Sequence, residues 1–515
     1  MRVKKTLKNS IYSFSSYVLL LALGLISRKL FLDAFHLEFA GYDALFSNIF
    51  SILTLAEMGV GFIINYSIYR ELANGNKDEI AKLVMIYKYM YRIIGTAVTI
   101  IGFIIFFFLE YLITDNTASW SYIRIIYLLQ LSTIVCTYFL SYRRILYISD
   151  QKEYVVIKVD TVANIILRIV RIAIIVFLHN YIIYLIAAIL SNVIANIIIA
   201  HKCNRDYPYA RKASINKEDF QKRNFFSDIK NFLVHKVADI VYFGVDNIII
   251  SILLGINSVG LFGNYHYLTV QVSALIKRIT NPLQASIGNL VYSDTSDERG
   301  SEIFYAFELM GFFIASFVAI SYLVLFQPFI ARIWLKDETY LLPYIFVVFT
   351  AINGYIKWNQ QIVFYFRCSF GKYDKDKWYM MASAIVNLGI SVALARSMGL
   401  PGIMLGTVIG HLFIWFGRVK VVFSLFLKTS RKKYFFTQII RFGILAVEAL
   451  IAVYITGFIG NTFMGFILKA LICLIVPNLI NVLIFCRTKE FSMIKMYSGQ
   501  VMGSIKGFIT AKKSR

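Results

Sequence analysis

The stretch YIIYLIAAILSNVIANIIIA, residues 181–200, decides the fold because none of its side chains is charged. A helix of about 20 apolar residues is long enough to cross the ~30 Å hydrocarbon core of a bilayer. Windows of this length recur along the chain, and they are far too long for the roughly ten-residue alternating strands of a membrane barrel. Since only helices and closed barrels satisfy their backbone in lipid, the sequence predicts an all-α polytopic membrane protein.

Composition supports a membrane protein. Of the 515 residues 58% are hydrophobic and 16% charged, against about 25% charged in soluble domains. The net charge of +24 allows a nucleic-acid reading, but lysine and arginine concentrate in the segments expected on the cytoplasmic side, as the positive-inside rule requires. We therefore predict no nucleic-acid partner. The five cysteines are scattered without metal-ligand or redox spacing, and no P-loop is present, so ATP is not expected to be the direct energy source.

The apolar windows predict fourteen spans and cytoplasmic N- and C-termini. The spans fall at residues 10–32, 42–66, 84–110, 122–147, 154–178, 181–201, 231–254, 260–292, 304–331, 340–366, 378–396, 399–425, 434–457 and 462–486. We expect an N-terminal six-helix lobe at 1–201, a basic cytoplasmic linker at 202–230 and a second six-helix lobe at 231–428. Residues 429–515 are expected to form an appended helix pair and a basic cytoplasmic tail.

A weak internal repeat relates the two predicted lobes. GYDALFSN (41–48) opens the second span and GLFGN (260–264) opens the eighth. Each is an entry of aromatic and small residues that ends in asparagine. The repeat predicts two pseudo-symmetric lobes, an arrangement typical of transporters with a cavity between the halves.

Charged side chains inside the predicted spans are candidate functional residues, because a charge at mid-bilayer costs roughly 2.5–3.5 kcal/mol on insertion scales. In the fifth span Asp160, Asn164, Arg168 and Arg171 follow each other at i, i+4, i+8 and i+11, on one helical face. This face is expected to point to the protein interior. An internal Asp–Arg pair that only holds the bundle together is the alternative, but it leaves one positive charge over.

Further candidates lie on other spans. Lys277 and Arg278 precede Asn281-Pro282 in the eighth span, and Lys357 lies near Asn353, Gln360 and Gln361 in the tenth. The candidate acids are Glu57, Asp239 and Asp246. At about 1.5 Å per residue, Glu57, Lys277 and Lys357 share one depth. Cations exceed acids in this set, which favours an anionic substrate, and the arginine fork suits phosphate esters.

The sequence resembles oligosaccharide-lipid flippases of the Wzx type, in the superfamily that also holds multidrug and toxin extruders and lipid II flippases. The resemblance covers about residues 5 to 430 and is greatest for the Gram-positive capsule and exopolysaccharide branch. Arg70-Glu71 and Lys336 depart from that branch at helix ends. The matching segments are ISRKLFL (26–32), GYDALFSNIFSILTLAEMGVGFIINYSIY (41–69), DNIIIS (246–251), GLFGNY (260–265), SIGNL (286–290), FIARIWL (329–335) and GLPGIMLGT (399–407).

The resemblance implies a fold like that of the multidrug extruders and a function that is not enzymatic. The expected substrate is an undecaprenyl-pyrophosphate-linked oligosaccharide, turned to the outer leaflet of a bacterial plasma membrane by alternating access. Membrane lipids, a polysaccharide polymerase and assembly proteins are the implied partners. A drug or cation antiporter of the same superfamily and a membrane glycan polymerase or acyltransferase are the alternatives.

Two hypotheses concern the roles of individual charges. The substrate-binding candidates are Arg168, Arg171, Lys277, Arg278, Lys357, Asn164 and Arg28, although an arginine at a helix end also snorkels to headgroups. Glu57, Asp160 or Asp246 is hypothesised to bind a coupling proton or sodium ion, and Asp239 to balance charge. No other cofactor and no metal is expected.

Overall fold

A computed structural model describes residues 2–211, 213–215, 245–291, 297–370, 375–427 and 430–496. All regular secondary structure in these ranges is helical. The chain divides into two compact units, Met1–Asn264 and Tyr265–Arg515.

The first unit contains nine α-helices and the beginning of a tenth. Helix α1 is kinked at His36, whose φ and ψ of 65° and 172° are not helical. The bounds are α1 Arg2–Leu53, α2 Leu55–Asn74, α3 Lys77–Phe107, α4 Leu109–Leu112, α5 Trp120–Leu140, α6 Arg144–Ser149, α7 Tyr154–Ala173, α8 Tyr181–Asp206, α9 Asp246–Leu254 and α10 Ile256–Val291.

The second unit contains the rest of α10 and seven further helices. Their bounds are α11 Asp297–Pro328, α12 Tyr344–Asn359, α13 Gln361–Ser369, α14 Lys377–Met398, α15 Leu400–Val422, α16 Arg431–Gly457 and α17 Phe463–Phe485. The division between the eleventh and twelfth predicted spans falls at Gly399, whose φ of 66° lies in a region that glycine adopts without strain. The division between the fifth and sixth falls at His179 and Asn180, as predicted.

Nine helices among the described residues are long and apolar enough to cross a membrane, so the chain is a multi-pass membrane protein. Two other predicted spans do not coincide with a single helix. The second span is interrupted at Thr54, between α1 and α2, and the tenth at Gln360, between α12 and α13. Most of the predicted linker and the seventh span lie outside the described residues. The count of fourteen stays a prediction.

The two repeat motifs contact each other within the first unit. A Cβ atom added to Gly41 would lie 2.3 Å from the carbonyl oxygen of Ile256, and one added to Gly260 would lie 2.5 Å from that of Leu37. Each glycine thus meets the residue four positions before the other glycine. This reciprocity is what a local two-fold relation between the motifs produces, and it requires glycine at both positions because the backbones approach so closely.

The fourth and tenth spans are both broken helices. In the fourth, a 3₁₀ turn at Ser141–Arg143 separates α5 from α6, and in the tenth Gln360 separates α12 from α13. At both breaks the backbone stays in the right-handed helical region, and a tighter turn inside a long helix often marks a functional hinge. The two breaks are therefore candidate hinges.

Candidate functional site

A polar cavity of about 530 Å³ lies beside the break in the fourth span. Helices α3, α5, α6, α7 and α8 form its walls. Its polar lining consists of Tyr87, Tyr91, Thr133, Thr137, Ser141, Arg144, Asp160, Asn164, Ser191 and Asn192. Hydroxyl and amide groups dominate this lining, so the cavity offers many hydrogen-bond donors and acceptors.

The two charges in this cavity neutralise each other. The guanidinium of Arg144 donates two hydrogen bonds to the carboxylate of Asp160, at 2.7 and 3.0 Å, which is the bidentate geometry in which this pair is strongest. The Arg144 Nε donates to the Asn196 side chain at 2.8 Å. Arg144 was not among the predicted site residues. Because it neutralises Asp160, the cavity suits an uncharged polar group better than an anion.

An apolar groove of about 440 Å³ lies on the other side of the α7–α8 contact. Ala163, Leu167, Ser191 and Ala195 line both the polar cavity and the groove. The remaining groove residues are aliphatic apart from Lys158 and Lys202. A polar space and an apolar space thus share one wall of small and aliphatic side chains.

The predicted arginines gather at the other end of α7, around Tyr184. The guanidinium of Arg171 lies 4.0 Å from the centre of the Tyr184 ring, and its Nε donates to the Tyr184 carbonyl at 3.3 Å. The charges that act on the Tyr184 side chain are those of Arg28, Arg168, Arg171 and Asp43. Arg171 therefore lies over this ring, and the charges of two further arginines and one aspartate reach it.

Aromatic and amide side chains complete this arginine cluster, which we define as Arg28, Arg168 and Arg171 around Tyr184. Phe31 and Phe35 pack against Tyr184, and their ring centres lie 5.4 and 6.1 Å, respectively, from the centre of the Tyr184 ring. Arg28 donates to the Asn264 side chain at 3.1 Å. The Gln130 amide donates to Asp43 at 3.2 Å. The cluster is therefore a cationic region with aromatic walls.

A second cationic region lies in the other unit, beside the break in the tenth span. The ammonium of Lys357 donates to Ser273 Oγ at 3.0 Å, and the charge of Lys277 acts on it. Lys277 and Arg278 are exposed on α10. Among the residues that the structure describes, no carboxylate forms an ion pair with Lys277 or Lys357. The charge of Lys277 thus reaches Lys357, and within the described ranges neither lysine is paired with an acid.

Helix α15 adds two residues to this region that the sequence did not single out. Arg418 donates to Gln360 at 3.2 Å and lies 4.6 Å from the Phe364 ring centre. His411 contacts Asn353 at 2.5 Å, and the charges of Lys357 and Arg418 both act on its ring. The only sequence signal for Arg418 and His411 was that each is a polar residue in a mainly apolar span.

The predicted face of α7 is divided between the two sites of the first unit. Asp160 and Asn164 line the polar cavity, whereas Arg168 and Arg171 belong to the arginine cluster.

Asp160 is the one predicted acid that the described residues place in a site, the polar cavity. Glu57 belongs to α2, but its side chain lies outside the described residues, as does the whole of Asp239. Asp246 is the first residue of α9.

The architecture is similar to that of solved transporters. A structure described as the lipid II flippase MurJ in an inward closed conformation matches with a TM-score of 0.65 and 16% identity, over 92% of this chain and 98% of that chain. An inward-facing multidrug resistance MATE family transporter of the MOP superfamily matches with a TM-score of 0.58 and 15% identity, over 79% and 95%. These likenesses establish the MATE-like fold.

Sequence comparison identifies the family. None of the curated proteins compared with the chain matches it. The family model described as polysaccharide biosynthesis protein matches residues 6–282. This match covers more than half of the chain, which therefore belongs to the polysaccharide biosynthesis protein family.

Proposed function

We propose that this protein is a flippase for a lipid-linked oligosaccharide. The substrate would be an undecaprenyl-pyrophosphate-linked repeat unit that moves from the cytoplasmic to the outer leaflet of a bacterial plasma membrane, for capsule or exopolysaccharide assembly. The family match and the fold shared with a lipid II flippase structure support this proposal. Alternating access between two pseudo-symmetric lobes is the mechanism we infer for it.

The observation that carries the proposal is the surplus of cations in the arginine cluster. The side chain of Tyr184 experiences the charges of Arg28, Arg168 and Arg171 together with that of one aspartate, Asp43. A pyrophosphate has several anionic oxygens, and guanidinium groups bind such oxygens in pairs. Lys277 and Lys357 supply a second cationic region for the same chemistry. A site for cationic drugs would need the opposite balance of charge.

The polar cavity and the apolar groove fit the other two parts of such a substrate. The neutral cavity with its hydroxyl and amide lining is suited to sugar hydroxyl groups, and Tyr87 and Tyr91 offer aromatic faces. The adjacent groove is lined mainly by aliphatic side chains, which suits a polyprenyl tail. On this proposal, the first unit would bind phosphate, sugar and lipid in separate places.

Removal of the arginine cluster tests this function. We expect Arg168→Ala combined with Arg171→Ala to insert normally but to cause lipid-linked repeat units to accumulate on the cytoplasmic side, because the pyrophosphate loses its cationic contacts. The accumulated lipid can be extracted and identified by mass spectrometry, with surface polysaccharide measured in the same cells. Arg205→Ala is the matched control, since that arginine is 78% exposed and pairs with its neighbour Asp206.

The alternative functions give different results in this experiment. Normal surface polysaccharide in the double variant would reject the arginine cluster as the substrate site. Drug sensitivity with intact polysaccharide on deletion of the protein would indicate an antiporter. Export of single repeat units without polymer would indicate a polymerase.

We also propose that transport is coupled to a proton or sodium gradient, with Glu57, Asp160 or Asp246 as the coupling acid. Asp160 forms an ion pair with Arg144. Protonation of Asp160 would weaken this ion pair, so proton binding and the packing around Arg144 would be linked. Transport into vesicles, with each gradient imposed in turn, identifies the ion, and indifference to both gradients would reject coupling.

A further inference from the structure

The second unit contains a set of buried polar groups among α11, α12, α16 and α17. These groups belong to other residues than the cationic region around Lys277 and Lys357. The centre of this set is Glu448 on α16, which is fully buried. Neither carboxylate oxygen of Glu448 has a hydrogen-bond partner among the residues that the structure describes. A buried carboxylate without a partner is among the most costly groups that a protein core can contain.

Two other buried polar side chains, Ser316 and Tyr355, lie near Glu448. The Ser316 hydroxyl on α11 interacts with the carboxyl group, although its oxygen has no hydrogen bond of ordinary geometry within the described ranges. Tyr355 on α12 lies close enough for the charge of Glu448 to act on its hydroxyl, which also has no hydrogen-bond partner in these ranges. Both residues are almost completely buried.

The register between α11 and α17 places Asn481 at the same level. Phe312 contacts Phe485 with ring centres 5.9 Å apart, and Phe329 contacts Phe466 at 5.7 Å, so the two helices run antiparallel. Ser316 lies four residues after Phe312 and Asn481 four residues before Phe485. Asn481 is fully buried, and both polar atoms of its side chain lack partners in the described part of the chain. We define Glu448, Ser316, Tyr355 and Asn481 as the Glu448 cluster.

The charged groups on the surrounding helices do not neutralise an ionised Glu448. Arg441, two turns earlier on α16, binds the Glu308 carboxylate of α11, which also accepts from Gln438. The ammonium of Lys469 on α17 donates to Asn461 at 2.6 Å, at the connection between α16 and α17. Cys473 is the remaining titratable group on this part of α17 and is fully buried. Burial therefore favours the neutral acid.

We propose that the Glu448 cluster is a proton-binding site, occupied while α16 and α17 are packed against α11 as they are here. The protonated carboxyl group can donate one hydrogen bond. We expect the Ser316 hydroxyl, which interacts with this carboxyl group, to accept it. Separation of α16 and α17 from α11 would admit water, stabilise the carboxylate and release the proton. Ionisable residues within membrane-spanning segments commonly mark proton pathways. This site is distinct from the acids proposed above for coupling, and its existence does not depend on the transported substrate.

Infrared difference spectroscopy on the full chain in lipid vesicles tests the proposal. At pH 7 we expect the wild type to show the C=O stretch of a buried protonated acid, and we expect Glu448→Gln to lose that band. In the wild type the band should disappear as the pH is raised. Glu338→Gln is the matched control, because Glu338 is 63% exposed and paired with Arg332, so its replacement should leave the band unchanged. Identical spectra for the wild type and Glu448→Gln would overturn the proposal.

A second variant keeps the test independent of the folding of Glu448→Gln. Ser316→Ala should retain the band but shift its frequency, because the hydrogen bond to the carboxyl group is lost. A band that does not shift would reject Ser316 as a member of the site. Replacing choline chloride with sodium chloride at constant pH should have no effect. Loss of the band in sodium would identify a metal-cation site and overturn the assignment to a proton.

Two native cysteines report whether proton release loosens the helix packing. Cys473 is buried on α17, whereas Cys486 just beyond its end is exposed, so the latter corrects for the ionisation of thiols with pH. The ratio of Cys473 to Cys486 labelling by a membrane-permeant maleimide should rise at the pH where the infrared band disappears, and it should stay constant in Glu448→Gln. A constant ratio in the wild type would overturn the link between proton release and helix separation.

Discussion

At the scale of single residues, Glu38 shows how one carboxylate fixes a connection between helices. It is 6% exposed and lies next to the kink of α1. Its oxygens accept from the hydroxyls of Tyr42 and Thr117 and from the backbone N–H groups of Thr117 and Ala118 at 2.7 and 3.2 Å. Burial raises the pKa of Glu38, but the hydrogen bonds from Thr117, Tyr42 and Ala118 outweigh burial and hold the pKa below its usual value.

This lowered pKa predicts how stability changes with pH. The contribution of Glu38 is complete above the usual glutamate value of about 4.3 and is lost as the pH falls through the lower folded value. Glu38→Gln should therefore reduce the free energy of unfolding at pH 7 by about 1–3 kcal/mol and flatten its fall below about pH 4. Thermal unfolding of the purified protein at pH 7 and below about pH 4 measures these changes in the free energy of unfolding. Glu110→Gln is the control, because Glu110 is 51% exposed and pairs with Arg124 at the surface. This change should alter the free energy of unfolding by less than about 1 kcal/mol. An equal effect of both variants would contradict the role of Glu38.

Asp160 shows where sequence reasoning about single residues stops. Helical spacing placed it on one face with Arg168 and Arg171, but its partner is Arg144, which follows the break in the fourth span. The spacing within a helix determines which side chains share a face. It does not determine which neighbouring helix supplies a partner, because that depends on tertiary packing around a local irregularity that hydropathy does not reveal.

At the scale of elements, the crossing of the two repeat motifs depends on close contact between backbones. A methyl group at Gly41 would overlap the Ile256 carbonyl oxygen, and one at Gly260 would overlap that of Leu37. Gly41→Ala and Gly260→Ala should each lower the free energy of unfolding by about 1–3 kcal/mol, since overpacking forces the helices apart. Thermal unfolding in detergent measures the loss.

An alanine substitution at an open position is the control for this prediction. Gly443, within α16, has no atom within 4 Å of the added methyl group. Gly443→Ala should stabilise the helix by up to about 1 kcal/mol, because alanine has the higher helix propensity. If Gly41→Ala were as stabilising as Gly443→Ala, the proposed close crossing would be wrong.

At the scale of the whole molecule, the fold was predictable because each membrane helix leaves a signal in about 20 consecutive apolar residues. Apolar length alone indicated an all-helical membrane protein, and the spacing of GYDALFSN and GLFGN indicated the repeat that the Gly41–Gly260 reciprocity now supports. The Glu448 cluster was not predictable from spacing, because its members lie on four helices and spacing along one helix does not show which helices pack together. Only packing shows that they meet.

Absolute orientation in the membrane is the remaining prediction for the whole molecule. Asn74 at the end of α2 and Ser119 before α5 are both exposed, and the span α3 lies between them, so they are expected on opposite sides of the membrane. The connection near Asn74 is flanked by Arg70, Lys77 and Lys82, whereas residues 108–119 contain no lysine or arginine. The positive-inside rule therefore predicts that Asn74 is cytoplasmic and Ser119 external, with both termini cytoplasmic.

Cysteine labelling on intact bacteria tests this orientation. After the five native cysteines are replaced by serine, Ser119→Cys should react with a membrane-impermeant maleimide in intact cells. Asn74→Cys should react only after permeabilisation, because a bilayer separates it from the reagent. Labelling of both positions in permeabilised cells confirms that each cysteine is reachable. Reaction of Asn74→Cys but not Ser119→Cys in intact cells would invert the topology and, with it, the direction of transport that we propose.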